Sequence, residues 1–432
     1  MLYFIKNEII SLKNATFASL NHQKTNKMLQ EITIKNFKSI ENDTIKLGRV
    51  NVFIGENGCG KSNILEAVAF LSAANDGLLS NEHLFSKGIR VAKPELTISN
   101  FKKKVQKKEF EIHTLSTGNK DGNKYIFKTD IDNNWDMRVM IGMGFESKAE
   151  ISFMQELVES IEKFLPKGLL NKNNIPESLA VELLNKITEK QITEKQMNNL
   201  MNTFSAYGFL IYALNTPALR GFTNESRKEP VGIYGENLDY LIANFDKNEL
   251  QTLKKYNYLI EWLADFDIDR EDNMKFNGYK PNRSKSKLFF KDKFMATKNN
   301  LFSAENANEG VLHILFYLSV MISKRTPKFF AIDNIESCLN PHLCTNLMKE
   351  ICTLAKEQDK QLLITTHNPA ILDGLNLNDD EIRLFEVSRN RAGHTVTRRI
   401  TVKPEHEQQE GRRLKLSELW TRGYLGAISE KY

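Results

Sequence analysis

The chain has 432 residues, of which 41% are hydrophobic and 26% are charged, and 60 basic against 54 acidic side chains give a formal net charge of +6. This length predicts two or three lobes, because one compact core rarely organises so long a chain. So mild a charge permits nucleic-acid binding but does not indicate it.

The apolar segments and the cysteines bear on membrane insertion and on the redox compartment of the protein. The longest apolar stretch, residues 311–322, is shorter than the roughly 20 residues that span a bilayer, so no membrane segment is expected. The four cysteines contain no CxxC pair, which fits a reducing cytoplasm. Cys338, His342 and Cys344 could be read as a metal site, but buried thiols on a helix are the favoured interpretation, and no zinc is assigned.

The N-terminal part of the chain predicts a first lobe, residues 28–147, after an extension (1–27) that need not be ordered. Two strand patterns, EITIKNF and VNVFIGE, precede a glycine-rich turn and the helical pattern SNILEAVAFLSAAND. Residues 94–137 alternate between apolar and polar, which predicts an antiparallel sheet with PELTISNF as one strand and a hairpin at Asp121-Gly122.

The middle of the chain predicts a mainly helical insertion, residues 148–285. Its pattern is helical from about Lys148 to Ala213, and the five-residue near-repeat ITEKQITEKQ indicates a charged, exposed helix face. A loop-like stretch then leads into a helix predicted from Leu238 to Ala264. We expect this insertion to serve in dimerisation or partner docking.

The last part of the chain, residues 286–432, returns to alternating strands and helices. Strand SKLFFKDKF, helix GVLHILFYLSVMISK, strand KFFAID, helix HLCTNLMKEICTLAKE and strand QLLITTH follow one another. This order predicts an α/β lobe that joins the first lobe in one domain, interrupted by the insertion.

The strongest functional motif is GENGCGKS, residues 55–62, which matches G-x-x-x-x-G-K-[ST] between a predicted strand and a predicted helix. Such a loop directs backbone N–H groups and a helix N-terminus at phosphates. Lys61 would reach the β- and γ-phosphates of ATP, and the Ser62 hydroxyl would bind Mg²⁺. The residues expected to contact ATP here are Gly55, Glu56, Asn57, Gly58, Cys59, Gly60, Lys61, Ser62 and Asn63.

Two apolar strands end in residues that suit the same site. Asp333 ends KFFAID and is the best-placed acid to bind Mg²⁺ together with Ser62. His367 ends QLLITTH and could contact a γ-phosphate or an attacking water. Either residue alone would be better explained as an ordinary turn residue; the order and spacing of all three motifs favour a shared site.

Several segments carry a family resemblance: ITIKNFKSIENDTIKLGRVNVFIGENGCGKSN, ANEGVLHILFYL, FFAIDNIESCLNP, LLITTHNPAIL and LKLSELWTRGYLGAI. They resemble the ABC-type ATPase heads of the SMC, RecF and OLD group, and more closely the AAA-family ATPases of bacterial antiphage systems, nearest the Septu ATPase. The resemblance covers about half the chain. It implies an α/β fold, a P-loop ABC-type ATPase head of mixed sheet and helices with an inserted mixed, mostly helical domain.

The resemblance also implies the cofactors ATP and Mg²⁺ and a homodimer that holds ATP between two heads. Each phosphate loop would then face the partner's signature segment, here residues 306–310. Asn308 stands where the usual signature carries serine, and Gly310 closes the segment. Lys38 is placed where related heads carry a basic residue near the phosphates.

Related heads follow the strand aspartate with a glutamate that activates water, and here Asn334 takes that place. An amide can position water but cannot accept its proton, and general-base catalysis contributes about 10²–10⁴-fold. The sequence therefore predicts slow or absent hydrolysis. Glu336 could substitute as the base, which is the less favoured alternative.

Together these features predict a cytoplasmic ATP-binding subunit of a bacterial antiphage complex, whose head dimer scaffolds or regulates a separate nuclease or toxic effector. One alternative is an active SMC- or RecF-like ATPase in DNA repair or recombination, and another is a nucleotide-triggered dimer without nucleic-acid contact. The basic stretches 102–108 and 389–413 could contact DNA or RNA, although solvated faces are favoured. We expect no nuclease domain after the closing LKLSELWTRGYLGAI.

Overall fold

The computed structural model describes residues 28–76, 79–91, 93–101, 108–117, 119–129, 135–141, 206, 208–222, 230–271, 274, 284–298, 300–401 and 414–425. The N-terminal extension, the near-repeat ITEKQITEKQ and most of the helices predicted for the insertion lie outside the described residues. None of the described helices is long and apolar enough to cross a membrane.

The strands of the described residues fall into three sheets. They are β1 Leu29–Phe37, β2 Ile40–Lys46, β3 Val50–Ile54, β4 Glu109–Ser116, β5 Asn119–Thr129, β6 Trp135–Ile141, β7 Ile211–Tyr212, β8 Leu263–Ile268, β9 Leu288–Asp292, β10 Phe302–Ser303, β11 Phe329–Ile332, β12 Gln361–Thr365, β13 Ile382–Arg389 and β14 Thr395–Ile400.

The described helices vary from one turn to four or five. They are α1 Lys61–Asn75, α2 Asn81–Ser86, α3 Pro94–Thr97, α4 Thr216–Leu219, α5 Leu238–Ala243, α6 Lys247–Lys255, α7 Glu309–Ile322, α8 Pro341–Glu357 and α9 Leu416–Thr421, with 3₁₀ turns at Tyr256–Leu259 and Pro369–Gly374.

A six-stranded sheet in the order β14-β13-β3-β12-β11-β7 forms the centre of the fold. β3, β11 and β12 are mostly apolar and are buried at every residue, as expected for parallel strands covered on both faces. β3 pairs in parallel with β12 on one side and with β13 on the other. The strand before the phosphate loop therefore lies between two strands from the C-terminal part of the chain, and both parts build one sheet.

Helices cover the two faces of this central sheet. Phe53 of β3 packs in a hydrophobic cluster with α1, whereas its neighbours Val52 and Ile54 pack in a second cluster with α7 and α8. The alternation follows from the two-residue period of a strand. The expected α/β class with a mixed sheet and helices is confirmed.

A five-stranded antiparallel sheet, β2-β1-β4-β5-β6, covers the other side of α1. Two local predictions in this region are wrong. PELTISNF begins with the short helix α3 and not with a strand, because Pro94 starts a helical turn readily. The hairpin turn lies between Ser116 and Asn119, while Gly122, at φ 66°, lies inside β5 beside a register shift.

The predicted long helix from Leu238 to Ala264 is also wrong. The chain forms α5 and then α6, which starts at a capping box of Asp246 and Glu249. It then enters β8, which belongs to the antiparallel sheet β10-β9-β8. The boundary drawn between residues 285 and 286 divides this sheet, since β8 precedes it and β9 follows it.

Candidate nucleotide-binding site

The chain leaves β3 and forms a tight loop before α1 begins. Gly55, Gly58 and Gly60 have φ angles of 151°, 75° and 114°, in the region that favours glycine. A Cβ on Gly60 would lie 2.1 Å from Thr395 Oγ1, and one on Gly55 would lie 2.1 Å from the Val387 carbonyl oxygen. The phosphate loop is thus packed against β13 and β14 so closely that these two positions accept no side chain.

Side chains from distant parts of the sequence fix the loop from outside. The Thr395 hydroxyl donates to the Cys59 carbonyl at 2.7 Å and lies 2.7 Å from the Ser39 hydroxyl. Arg389 donates to the Gly58 carbonyl from Nε at 3.1 Å and from Nη2 at 2.9 Å. Sequence reasoning missed Thr395 and placed Arg389 in a basic stretch, because no local pattern connects either residue with the loop.

Lys61 is almost fully buried, with 5% of its surface exposed. Its ammonium donates to the carbonyls of Gly55 at 2.8 Å and Glu56 at 2.9 Å, inside the curl of the loop. Burial lowers its pKa. A phosphate oxygen is a stronger acceptor for this cation than a carbonyl, so the arrangement suits an anion bound in the loop.

Ser62 and Asp333 lie side by side, as the metal-site prediction requires. The Ser62 hydroxyl is 3.2 Å from Asp333 Oδ2 and 3.4 Å from Oδ1. Thr365 orients the carboxylate through a 2.5 Å hydrogen bond to Oδ1. A hydroxyl beside a carboxylate is a hard oxygen donor set, which fits Mg²⁺ with its remaining positions filled by water and phosphate.

Asn334, which stands where a base is expected, lies at an exposed position with φ 54°. Its backbone N–H donates to the Thr365 hydroxyl at 2.9 Å, and its carbonyl accepts from the Ser337 hydroxyl at 2.8 Å. The short Asn side chain tolerates this left-handed backbone.

Glu336 and His367 meet beside the loop. Glu336 Oε1 accepts the backbone N–H of His367 at 2.8 Å, and Oε2 is enclosed without a hydrogen-bond partner among the described residues. Partial burial and the nearby Lys61 ammonium lower the pKa of His367, although the charges of Glu336 and Asp333 and a hydrogen bond to the Gly55 backbone oppose this shift. The lowered pKa favours the neutral imidazole, and it lies beside a carboxylate oxygen that has no partner among the described residues.

Lys38 and Asn63 belong to a cluster around Glu66, a buried residue of α1. The Lys38 ammonium contacts Glu66 Oε2, and Arg90 Nε donates to Oε1 at 2.6 Å. Arg90 also donates to the Asn63 side chain at 3.3 Å, and the pKa of Arg90 is raised, because the lowering effect of burial is outweighed by the hydrogen bond to Glu66 and by the charges of Glu66 and Asp333. The recorded contact of Lys38 is thus with Glu66 and not with the phosphate loop, and its role near the phosphates stays a prediction.

Asn308 and Gly310 lie at the start of α7. Asn308 is the N-cap, and its side-chain oxygen accepts the backbone N–H of Val311 at 3.0 Å. A Cβ on Gly310 would lie 3.4 Å from the Cys338 carbonyl oxygen. In the described part of the chain these residues contact α7 and the segment after Asp333, and not the phosphate loop of the same chain.

Three arginines of the C-terminal basic stretch, Arg389, Arg398 and Arg399, are engaged within the fold. Besides Arg389, Arg398 donates to Glu386 and to the Leu425 carbonyl, and Arg399 donates to Asp380. Most of the lysine run at 102–108 lies outside the described residues. Among the residues described, no group of three His, Cys, Asp or Glu could hold a metal ion.

Known proteins share parts of this chain. It is 34% identical over 79 residues to the DNA double-strand break repair Rad50 ATPase of Saccharolobus solfataricus, covering 18% of this chain and 9% of that protein. It is 41% identical over 58 residues to the DNA replication and repair protein RecF of Listeria welshimeri, covering 13% of this chain and 16% of that protein. The matches thus span a small fraction of the length of these curated relatives.

Solved structures with a similar overall course include the SMC head bound to the C-winged helix domain of ScpA. It is 15% identical, with a TM-score of 0.47, and the match covers 87% of this chain and 98% of that chain. The SMC head domain from Thermotoga maritima is 12% identical, with a TM-score of 0.44, and the match covers 87% of this chain and 99% of that chain.

A family model matches most of the chain. It covers residues 50–373, from β3 and the phosphate loop through Asp333 to His367, and it is described as "AAA domain, putative AbiEii toxin, Type IV TA system". The chain therefore belongs to this family of AAA ATPases.

Proposed function

We propose that ATP and Mg²⁺ bind at the phosphate loop and join two copies of this head, and that the joined heads scaffold or regulate a separate nuclease or toxic effector of a bacterial antiphage complex. The observation that carries the nucleotide site is the Ser62 hydroxyl 3.2 Å from the Asp333 carboxylate, directly after a loop in which Gly55 and Gly60 leave no room for a side chain.

Each part of this chain would have a defined task with the nucleotide. The loop amides and the N-terminus of α1 bind the phosphates, and Lys61 exchanges its contacts with loop carbonyls for contacts with phosphate oxygens. Ser62 and Asp333 would hold Mg²⁺, which supplies positive charge against the phosphates. Thr365 keeps the Asp333 carboxylate oriented for that purpose.

Hydrolysis would be weak or absent. Asn334 carries no group that accepts a proton, and general-base catalysis is worth about 10²–10⁴-fold. A ligand that binds the paired heads but not the separated ones shifts association by mass action, without any need for turnover. A pair of heads that separates slowly suits a scaffold or a sensor.

The first test measures binding and association together. We expect calorimetry to show Mg²⁺-dependent ATP affinity, and sedimentation to show dimers with ATP but not with ADP. Lys61→Ala should lose both. Absence of affinity for any adenine nucleotide would contradict the proposal. The association with a separate effector is tested by co-expression with the products of adjacent genes, followed by purification of the complex.

Asn334→Glu tests the reason for slow turnover. The variant restores a carboxylate directly after Asp333, so we expect phosphate release to rise by about 10²-fold or more. Asn334→Gln is the matched control, because it has the same length and no base, and it should remain at the wild-type rate. Equal rates in all three proteins would show that this position does not limit hydrolysis.

The local identity to Rad50 and RecF favours one other function, an active ATPase in DNA repair or recombination. It requires wild-type turnover that DNA stimulates and that Lys61→Ala abolishes. Phosphate release at background level, with and without DNA, would exclude it. Salt-sensitive DNA binding, measured in the same samples, separates it from a dimer that makes no nucleic-acid contact.

A further inference from the structure

The segment 211–221 connects two parts of the nucleotide site; the helical pattern predicted up to Ala213 is wrong at Ile211–Tyr212, which form β7, and the residues from Asn215 are predicted as loop. At its start, β7 pairs in parallel with β11, and the Tyr212 carbonyl accepts the backbone N–H of Asp333 at 2.8 Å. The Tyr212 ring also packs edge-on against Phe316 of α7, at 5.1 Å between ring centroids. The segment is therefore attached to the strand that presents the metal-binding acid.

At its end, the same segment contacts residues that precede and start α7. Arg220 Nη2 donates to the Ala307 carbonyl at 3.0 Å. The Thr216 side chain contributes to lowering the pKa of Glu309, the residue after the N-cap. The Cys338 thiol donates to Glu309 at 3.1 Å, and this bond, with the charge of Arg220, keeps the pKa of Glu309 below its usual range.

The backbone of Arg220 is itself held in place. Its carbonyl accepts the hydroxyl of Ser284, and the next carbonyl, that of Gly221, accepts the backbone N–H of Lys285 at 3.0 Å. Gly221 has a φ of 79°, and a Cβ there would lie 2.5 Å from the Ser286 nitrogen. The guanidinium therefore extends from a main chain whose course is fixed.

The hydrogen bond from Arg220 to the Ala307 carbonyl orients the peptide unit between residues 307 and 308. A trans peptide is planar, so its C=O and N–H point in opposite directions. Arg220 binds the C=O of Ala307, and this contact turns the Asn308 N–H to the opposite side. Asn308 is exposed, and among the described residues its N–H has no protein acceptor. This donor adds to the unpaired N–H groups that every helix N-terminus carries.

We propose that Arg220 is a positioning residue for the signature segment, residues 306–310: it orients the 307–308 peptide so that the Asn308 N–H faces an anion outside the head, the γ-phosphate of ATP held by a second copy of this chain. This role rests on the proposed function, since it needs two heads that share ATP. The 211–221 segment would then set the signature segment in one fixed position relative to Asp333 of the same head.

The test compares ATP binding by the single head with ATP-dependent association. In Arg220→Met the guanidinium is lost while the apolar stem remains. We expect its ATP–Mg²⁺ affinity, measured by calorimetry at low protein concentration, to stay within about twofold of the wild type. The dissociation constant of the ATP-bound dimer, measured by sedimentation, should rise about tenfold or more, as expected for the loss of a hydrogen bond from a charged donor.

Three further variants make the result specific. Arg270→Met is the matched control, because Arg270 Nη2 also donates to an alanine carbonyl, that of Ala243 at 2.9 Å, away from the signature segment; it should leave both constants unchanged. Arg220→Lys retains a single donor and should recover part of the association. Thr216→Val, nearly equal in volume, should weaken association alone, and it serves if Arg220→Met does not fold.

The outcomes separate the two proposals. Arg220→Met and Thr216→Val proteins that associate as the wild type does would overturn the role of Arg220 and leave the proposed function intact. Equal losses of ATP affinity and association would also overturn it, because they indicate a general structural effect. A wild type that binds ATP but stays monomeric would contradict the joined heads themselves, and this role of Arg220 with them.

Discussion

At the scale of single residues, Gly58 and Gly60 belong to one loop but differ in their surroundings. Both have positive φ, at 75° and 114°. A Cβ on Gly60 would lie 2.1 Å from Thr395 Oγ1, whereas one on Gly58 would meet nothing within 4 Å. A side chain at Gly58 thus adds only backbone strain, while one at Gly60 must displace the loop from β14.

We therefore expect Gly60→Ala to lower ATP affinity at least tenfold, because the loop amides move away from their present positions. Gly58→Ala should cost about 1 kcal/mol of stability through its left-handed backbone and change ATP affinity only a few-fold. Calorimetry with ATP–Mg²⁺ and urea unfolding measure the two effects. Similar ATP affinities in the two variants would show that the contact with Thr395 does not position the loop.

The same scale shows what sequence could and could not predict of the site. The phosphate loop, Asp333 and His367 each follow an apolar strand, so motif and strand pattern together place them at one edge of a sheet. Arg389 and Thr395 contact the loop across 331 and 336 positions of the sequence. Such contacts depend on the tertiary arrangement of β13 and β14, and no local pattern contains it.

At the scale of elements, the strongly periodic segments behaved as predicted and the segment 238–264 did not. The strands of the central sheet and the helices that cover it, such as β3 and α7, are buried on nearly all sides and are mostly apolar in sequence. Between Leu238 and Ala264 the capping box at Asp246 starts a new helix, and β8 forms because β9 offers a partner. The latter is a tertiary effect that outweighs local preference.

The C-terminus of α7 depends on a buried lysine. Lys360 is 1% exposed, and its ammonium donates to the Ser323 carbonyl at 2.9 Å, to the Thr326 hydroxyl at 2.7 Å and to the Val320 carbonyl. A cation at a helix C-terminus is favourable because of the helix dipole. Burial nevertheless lowers the pKa of Lys360 to about 7.

This shift predicts a pH dependence of stability. In the unfolded chain a lysine titrates near 10.4, so between pH 7 and that value the unfolded state binds more protons than the folded state. The contribution of Lys360 to the free energy of unfolding therefore rises as the pH increases above about 7, by at most about 1.4 kcal/mol per pH unit. This contribution is lost as the pH falls to 7.

Lys360→Met should remove this dependence. We expect the free energy of unfolding, measured by urea titration at pH 7, 8 and 9, to increase less with pH in Lys360→Met than in the wild type. Lys255→Met, at an exposed lysine in the last turn of α6, is the control and should retain the wild-type slope. Parallel slopes for all three proteins would contradict a lowered pKa for Lys360.

At the scale of the whole molecule, strands from the N-terminal and C-terminal parts of the described chain pair in one sheet. β3 lies between β12 and β13, so the central sheet cannot form from either part alone. One side chain makes this closure specific. Gln361, 4% exposed, accepts the Leu29 N–H at 3.0 Å and donates to the carbonyls of Leu29 at 2.8 Å and Gly48 at 2.7 Å.

Gln361→Leu would keep the size of this side chain but remove its hydrogen bonds to the Leu29 N–H and carbonyl, while the Gly48 carbonyl retains the hydrogen bond from the Asn51 side chain. A buried group left unpaired costs about 1–3 kcal/mol, so we expect the variant to lose about 2 kcal/mol or more of unfolding free energy. Gln358→Leu, at the partly exposed C-cap of α8, should stay within about 0.5 kcal/mol of the wild type. Urea unfolding followed by tryptophan fluorescence measures both changes. Equal losses of stability in the two variants would show that the hydrogen bonds of Gln361 to β1 and Gly48 do not stabilise the packing of the N-terminal strands on the C-terminal part of the sheet.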